Sequence, residues 1–354
     1  MISASLALAR PGLSCASTAM PEPGCWLELP GTSMCQVAPQ RDGHPAWGTI
    51  GPRAVTDAWG GAAFDARRQV LMLHGGGHGD YGGNEVYEFH LVGRHWVRAT
   101  DPSALRDLGN GRFEVLGSEA PVSSHSYDGL TYLPDSGEVF KFGGSCYSNG
   151  SAYDRHAYLY QPAQRRWKRM SPAPRACLQV VSDHDPVTRR VVVGTGSGLM
   201  WFDAASDRWA LGSQGNANLS SSGGVCVTES NRFVQMQART GAIDFFDLGS
   251  PARRWPSPLS GAQPWARHPG MVYLPQRQRI VVWSGGPQVW LIDPADWGVT
   301  ELRAACGAAP ATHFADGRRR SAGIYSRWQY VAAQDLFIGY AHCHDNVWLY
   351  RLPR

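Results

Sequence analysis

Apolar residues run through this chain in short strand-like bursts, separated by polar turns or turns bearing Pro and Asp, and the bursts recur in a fixed order. One set reads Gly61–Phe64, Leu130–Leu133, Leu178–Val181, Gly224–Val227, Met271–Leu274 and Trp328–Val331. A second follows each of these at Val70–Leu73, Val139–Phe142, Val191–Val193, Phe233–Met236, Ile280–Trp283 and Leu336–Ile338. A third, richer in aromatics, comes at Val86–Phe89, Ala157–Tyr160, Leu199–Phe202, Ile243–Phe246, Val289–Ile292 and Val347–Tyr350. After a turn, a tryptophan follows the first five of this third set: Trp96, Trp167, Trp209, Trp255 and Trp297. The sixth meets the end of the chain, and the matching tryptophan stands at the other end, in Cys25–Pro30.

Four strands per unit, mostly 42–46 residues apart, is the signature of a propeller blade. The pattern predicts an all-β, six-bladed propeller over residues 25–354, with residues 1–24 a disordered or clipped signal-like segment. Blades are expected near 54–100, 125–170, 176–213, 222–259, 269–303 and 323–353, the last completed by residues 25–30. Trp26 would then lie on the outermost strand of the last blade. That pairing of the chain ends would close the ring and remove the free edges of an open sheet.

An apolar strand ending in Gly-Gly, an aromatic-rich strand and a tryptophan after a turn together resemble the kelch repeat. The Gly-Gly stands at Gly75-Gly76, Gly143-Gly144 and Gly285-Gly286 and is missing from the third, fourth and sixth units. The resemblance covers roughly residues 25–353 and implies a kelch-type propeller similar to the catalytic domain of galactose oxidase-like proteins. It speaks to fold more than to function.

Composition agrees with this reading. The chain holds 41 Gly, 24 Pro and 14 Trp, which disfavour helices, and only 18% charged residues, as expected of sheets buried on both faces. Only two of its 33 basic residues are lysines, Lys141 and Lys168, which reads as the codon bias of a GC-rich genome. The arginines are scattered apart from Arg318–Arg320, so no nucleic-acid stripe is expected. No run approaches the ~18 apolar residues that span a bilayer. Eight cysteines without a CxxC pair argue against a zinc knuckle and allow disulfides, Cys25 and Cys35 being the one close pair. The short apolar stretch Ile2–Ala9 leans toward export to a secreted or periplasmic location, and the chain is expected to act as a monomer.

If the first strand of each unit lies beside the axis, the loops between second and third strands share one face with the loops between blades. The richest of these is His74–Glu85, with six glycines in twelve positions together with His78, Asp80, Tyr81 and Asn84. Such glycine density lets backbone turn tightly or approach a ligand. The sixth-unit loop carries His342 and His344, two apart and so on one face of a strand, and blade six adjoins blade one. His74, His78, His342 and His344 are therefore candidate ligands for a divalent, zinc-like metal. Inter-blade loops add His125, Tyr127, Arg175, Arg267, His268, Tyr325 and Arg327 near the axis. His184, between Asp183 and Asp185, falls in a turn on the opposite face and is set aside, as are His90 and His95.

A mouth of His, Tyr and Arg with few placed carboxylates suits an anionic or polyhydroxylated carbohydrate. The expected activity is that of a polysaccharide lyase cleaving beside a uronate by β-elimination. His78, His125, Tyr127 and His268 would handle protons, while Asp80, Tyr81, Asn84, Arg175, Arg267, Tyr325 and Arg327 hold the substrate. Propeller lyases resemble this chain only in such general terms. A non-catalytic glycan- or protein-binding propeller is the alternative. A copper-radical oxidase is a lesser one, because that family's extra C-terminal domain is missing. The Ser-x-Asp-x-Gly-x-Thr-Trp box of sialidase propellers does not occur.

Overall fold

A computed structural model describes residues 19–39, 51–148, 152–196, 198–212, 221–251, 254–259, 263–265 and 268–354. Six antiparallel four-stranded sheets are arranged as the blades of a propeller. Blade 1 is built from Gly61–Asp65, Val70–His74, Tyr87–His90 and His95–Arg98, and blade 2 from Leu130–Leu133, Glu138–Lys141, His156–Gln161 and Arg166–Pro172. Blade 3 comprises Val181–Asp185, Arg190–Thr195, Gly198–Asp203 and Arg208–Leu211. Blade 4 comprises Ser221–Val227, Arg232–Gln237, Ile243–Asp247 and Arg254–Pro256, and blade 5 Gly270–Leu274, Arg279–Trp283, Val289–Ile292 and Val299–Leu302. Blade 6 takes Trp328–Val331, Leu336–Gly339 and Val347–Tyr350 from the end of the chain and its outer strand, Trp26–Leu29, from the beginning. First strands of neighbouring blades touch in turn around the axis, and the blade 6 strand touches that of blade 1, so the ring is closed.

Each blade is apolar on both faces because it packs between two others, and side chains alternate between them. Ala62, Phe64, Leu71 and Leu73 face blade 6, while Ala63 and Met72 face blade 2. Six hydrophobic clusters result, one at each blade interface. Three of the recurrent tryptophans lock their outer strands to the blade before. The indole N–H of Trp96 donates to the Thr32 carbonyl (2.7 Å), that of Trp209 to Ser171 (3.0 Å) and that of Trp26 to Pro287 (3.1 Å).

The N-terminal strand closes the ring as expected, pairing with the last strand in the register Trp26 opposite Tyr350 and Leu29 opposite Val347. A disulfide from Cys25 to Cys306, 281 residues away, fixes the closing strand to the segment after blade 5. Cys25 therefore pairs with a cysteine beside the neighbouring blade rather than with nearby Cys35. A disulfide is the usual mark of an oxidising compartment. No helix among the described residues is long and apolar enough to cross a membrane.

Three local expectations shift. The first strand of blade 3 runs Val181–Asp185, so His184 sits on the strand opposite Val191 rather than in the turn. Trp297 lies in the turn ahead of its outer strand, at φ 65°, its ring stacked 5.5 Å from Phe245 of blade 4. Between blades 1 and 2 an unforeseen hairpin, Leu105–Gly109 with Arg112–Val115, stands out from the ring.

Candidate functional site

The loop after His74 folds onto the connection into blade 2 because its glycines leave room for backbone. Gly77 (φ 61°) lies so close to Ser124 that a Cβ there would sit 2.3 Å from the Ser124 Cα. The Gly77 N–H donates to Ser123 Oγ (2.8 Å), and Ser123 and Ser126 hydroxyls donate to the carbonyls of Gly75 (3.0 Å) and His74 (2.9 Å). A third loop joins from blade 2: the Ser145 carbonyl accepts the backbone N–H of both His78 (3.3 Å) and His125 (3.0 Å). All three loops leave one face of the ring, as the strand order requires.

His125 lies at the centre of this junction. Its Nε2 is 3.0 Å from Asp80 Oδ2, its ring is 5.6 Å from that of His78 and 5.9 Å from that of Tyr127, and Trp59 packs against it, tilted, at 4.8 Å. His78 Nδ1 lies 3.2 Å from Ser145 Oγ. Burial holds the His125 imidazole below its ordinary range, with Asp80 pulling in the opposite sense, so the ring is neutral near pH 7. Burial likewise raises the Tyr127 phenol, which stays protonated. His125 is only 3% exposed, while Trp59 beside it is 36% exposed.

The residues that enter the blades form a second layer of order. Trp59, Tyr127, His268 and Tyr325 precede blades 1, 2, 5 and 6, and all have left-handed backbones, with φ of 52°, 48°, 57° and 51°. Bulky residues rarely adopt this conformation, which costs about 1–3 kcal/mol each and collects at functional sites. Their backbones are tied blade to blade, Tyr127 N–H to the Trp59 carbonyl (2.7 Å) and Tyr325 N–H to that of His268 (3.3 Å). Their rings form a chain around the axis: Tyr127 meets Tyr325 edge-on at 5.8 Å, and Tyr325 stacks on His268 at 5.2 Å. An axial cavity of about 240 Å³ is lined by Asp128, Ser182, Asp183, Thr131 and Ser326. Burial raises both carboxyls there, that of Asp183 to about 7.

The remaining sequence-derived candidates divide. Asp80 joins His125, as described. Tyr81 is buried within its own loop, where its carbonyl accepts the Gly77 N–H (3.1 Å). Asn84 staples that loop to the inter-blade segment, its Nδ2 donating to the Pro121 carbonyl and its Oδ1 accepting from the Ser103 N–H. Arg327 is fully buried beneath the mouth, its guanidinium donating to the carbonyls of Ile324, Ala341 and Gly323 and to Ser321 Oγ, and burial lowers it to about 10. Its place in the fold is to brace backbone. Arg175 is half-buried near Cys177, and Arg267 lies outside the described residues.

Nor does the ring closure gather the four histidines. His74 is wholly buried against Trp167 at 5.0 Å, neither nitrogen reaches a well-formed hydrogen bond, and burial, helped by Lys141, drives it down to about 3. His342 Nε2 is paired with Asp57 at 3.1 Å, and its ring lies 5.2 Å from that of His344. His78 stays with His125. Among the described residues, the donors close enough to share an ion are instead Cys35, Cys343 and His344.

A groove between the unforeseen hairpin and blade 2 holds two adjoining cavities. One, about 390 Å³, is lined by Arg112, Phe113, Tyr147, Tyr153, His156 and Arg169. The other, about 740 Å³, shares Ser118, Glu119 and Ala120 with the first and adds Asn84, Arg165, Trp167 and Lys168. Tyr153 is near enough to Tyr127 to act on it electrostatically, and Cys146 and Tyr147 of the groove wall directly follow Ser145. Asp154 organises the wall, accepting from His156 Nδ1 (2.8 Å) and the Tyr158 hydroxyl. The sequence signal for this groove is the spacing between the first two blades, about 25 residues longer than the 42–46 that separate blades 2 to 5.

No family model matches the chain, and no curated protein matches it. Among solved structures it is similar to the crystal structure of a nidogen/laminin complex, at 12% identity over 69% of this chain and 79% of that chain, with a TM-score of 0.47. A likeness at that level carries no argument about activity.

Proposed function

We propose that this propeller is a carbohydrate-active acid–base enzyme, most concretely a polysaccharide lyase acting beside a uronate. The observation that carries the reading is the Asp80–His125 pair at 3.0 Å, with Tyr127 at its side and Tyr153 of an aromatic and cationic groove near enough to Tyr127 to act on it electrostatically. With Asp80 accepting from Nε2, the basic lone pair of the neutral imidazole is on Nδ1. That nitrogen removes the proton next to the carboxylate, and Asp80 stabilises the imidazolium that forms. The electron pair moves in to form the double bond as the glycosidic C–O bond breaks. The protonated phenol of Tyr127 gives its proton to the leaving oxygen and is restored from His125 through water. Arg112 and Arg169 are the groove's cations for uronate carboxylates, a role the sequence assigns to Arg267 and Arg327; Arg327 is buried. Tyr147 and Tyr153 offer faces for sugar rings.

Burial of His125 and Tyr127 favours a second reading, a glycan-binding propeller without turnover. One experiment separates the two. The purified chain and its His125→Gln variant are assayed against a panel of uronate polysaccharides for the ultraviolet absorbance of the unsaturated product, with affinity electrophoresis on the same panel. Product from the wild type and none from His125→Gln, with retention preserved, supports the lyase. Retention without product from either supports the binder.

A further inference from the structure

We infer that Cys35, Cys343 and His344 form a binding site for a zinc-like divalent metal, set at the seam where the ring closes. The two thiols and the imidazole present ligand atoms that all lie within 4.8 Å of one another, with Cys35 Sγ 3.9 Å from His344 Nε2. Zn–S bonds of about 2.3 Å and Zn–N bonds of about 2.0 Å at a tetrahedral angle separate the two ligands by about 3.5 Å, so small side-chain adjustments seat an ion.

The cradle is built rather than incidental. Cys35 belongs to the turn Met34–Val37 that follows the closing strand, and Cys343 and His344 lie on the loop between the second and third strands of blade 6. The Cys35 N–H donates to the Cys343 carbonyl (3.3 Å), which Ser33 Oγ also reaches (2.8 Å). The Cys343 N–H donates to Thr56 Oγ1 (3.2 Å), and the His344 N–H to His342 Nδ1 (3.1 Å). Cys343 is buried, Cys35 half-buried and His344 exposed, so the donors converge from the protein side and leave the solvent side open for water. Asp57, held by His342 and Arg53, lies near enough to act electrostatically on all three donors and adds negative charge suited to a cation. It comes from the short helix Pro52–Asp57 leading into blade 1. A metal here would join the closing segment, blade 6 and the entry to blade 1.

The site is independent of the proposed activity and is tested without it. The full chain is isolated without chelator under nitrogen, its metal content measured, and the metal-free protein titrated with cobalt(II) and with zinc against a chromophoric chelator. Expected are one ion per chain and a thiolate-to-cobalt charge-transfer band. The band should be lost in Cys35→Ser, and affinity should fall at least about tenfold in His344→Ala, a surface change that leaves folding intact. His78→Ala should bind as the wild type does. Absence of stoichiometric binding would overturn the site, as would binding indifferent to both Cys35→Ser and His344→Ala. A Cys35–Cys343 disulfide in a non-reducing peptide map of the isolated protein would overturn it too.

Discussion

Nε2 of His125 and Oδ2 of Asp80 stand 3.0 Å apart, although one belongs to the connection into blade 2 and the other to a loop inside blade 1. Burial alone would leave the imidazole a weaker base, and the carboxylate works against that shift. In Asp80→Asn the charge is gone and the ring's basic nitrogen is no longer assigned. Turnover is expected to fall at least about a hundredfold with KM little changed, as for other histidine bases that lose their carboxylate. Because the lost charge stabilised the protonated ring, the acid limb of the pH–rate profile should move to lower pH. A variant with wild-type kinetics would remove His125 from the chemistry.

Gly77 and Gly79 are two residues apart and make opposite demands. A Cβ on Gly77 meets Ser124 at 2.3 Å and the His125 nitrogen at 2.5 Å, on a backbone already at φ 61°, whereas a Cβ on Gly79 meets nothing within 4 Å. Gly77→Ala should lose about 2–4 kcal/mol of stability and, with it, the position of His125. Gly79→Ala should unfold like the wild type. Urea denaturation of the two variants beside activity or glycan retention makes the comparison.

The Cys25–Cys306 bond spans 281 residues and fastens the strand that completes the ring. On the chain-entropy view, a loop this long contributes about 5 kcal/mol, and measured effects run about 2–5 kcal/mol. Cys25→Ser should lower the unfolding temperature by several degrees, and added thiol should lower the wild type to match. Removing residues through Pro30 takes the outer strand as well and should abolish cooperative unfolding. Unchanged thermal unfolding after that truncation would show that the closing strand holds nothing.

Asp183 faces the axial cavity with its carboxyl raised from 3.8 to about 7, chiefly by burial, and burial also raises Asp128 in the same cavity well above its ordinary value. The folded state therefore holds a proton that the unfolded chain has released over this range, so stability falls as pH rises from about 4 to about 7. Because surface water reaches Asp183 in part, the loss through this group is of the order of 1–2 kcal/mol. Asp183→Asn cannot titrate. Its stability relative to the wild type should improve steadily between pH 4 and pH 8 in chemical denaturation, and a flat difference would exclude the linkage.

The ring and its closure are legible in the sequence because strand patterning and a tryptophan on or just ahead of each outer strand are local signals repeated six times. Trp26 betrayed the closing strand by being the member missing from the last unit. The loop around Gly77 was conspicuous for a related reason: dense glycine marks backbone forced close to something, here Ser124. The histidines were harder. Whether His74 turns into the core beside Trp167 or out toward a ligand depends on the neighbouring blade, which periodicity does not encode. Arg327 looked like a mouth residue by position, yet its guanidinium fits beneath the mouth because backbone carbonyls from its own entry turn and from Ala341 converge there. The groove is not legible in the sequence because the hairpin that forms one wall falls between two blades, outside the repeated order of strands, although Arg112–Val115 alternates polar and apolar residues.

Pairing Leu29 with Val347 also sets a timetable for biosynthesis. The closing strand is made about 320 residues ahead of its partner. At about 5–20 residues per second, the early strand waits roughly 15–65 seconds with its hydrogen-bonding edge unmatched. Until Val347 is made, Trp26 and Leu29 are a sticky end, and for most of that time Cys25 has no Cys306 to meet. Nascent copies on one message are therefore most exposed to wrong partners during this interval, and a chaperone serving this protein would find its target in the strand Trp26–Leu29.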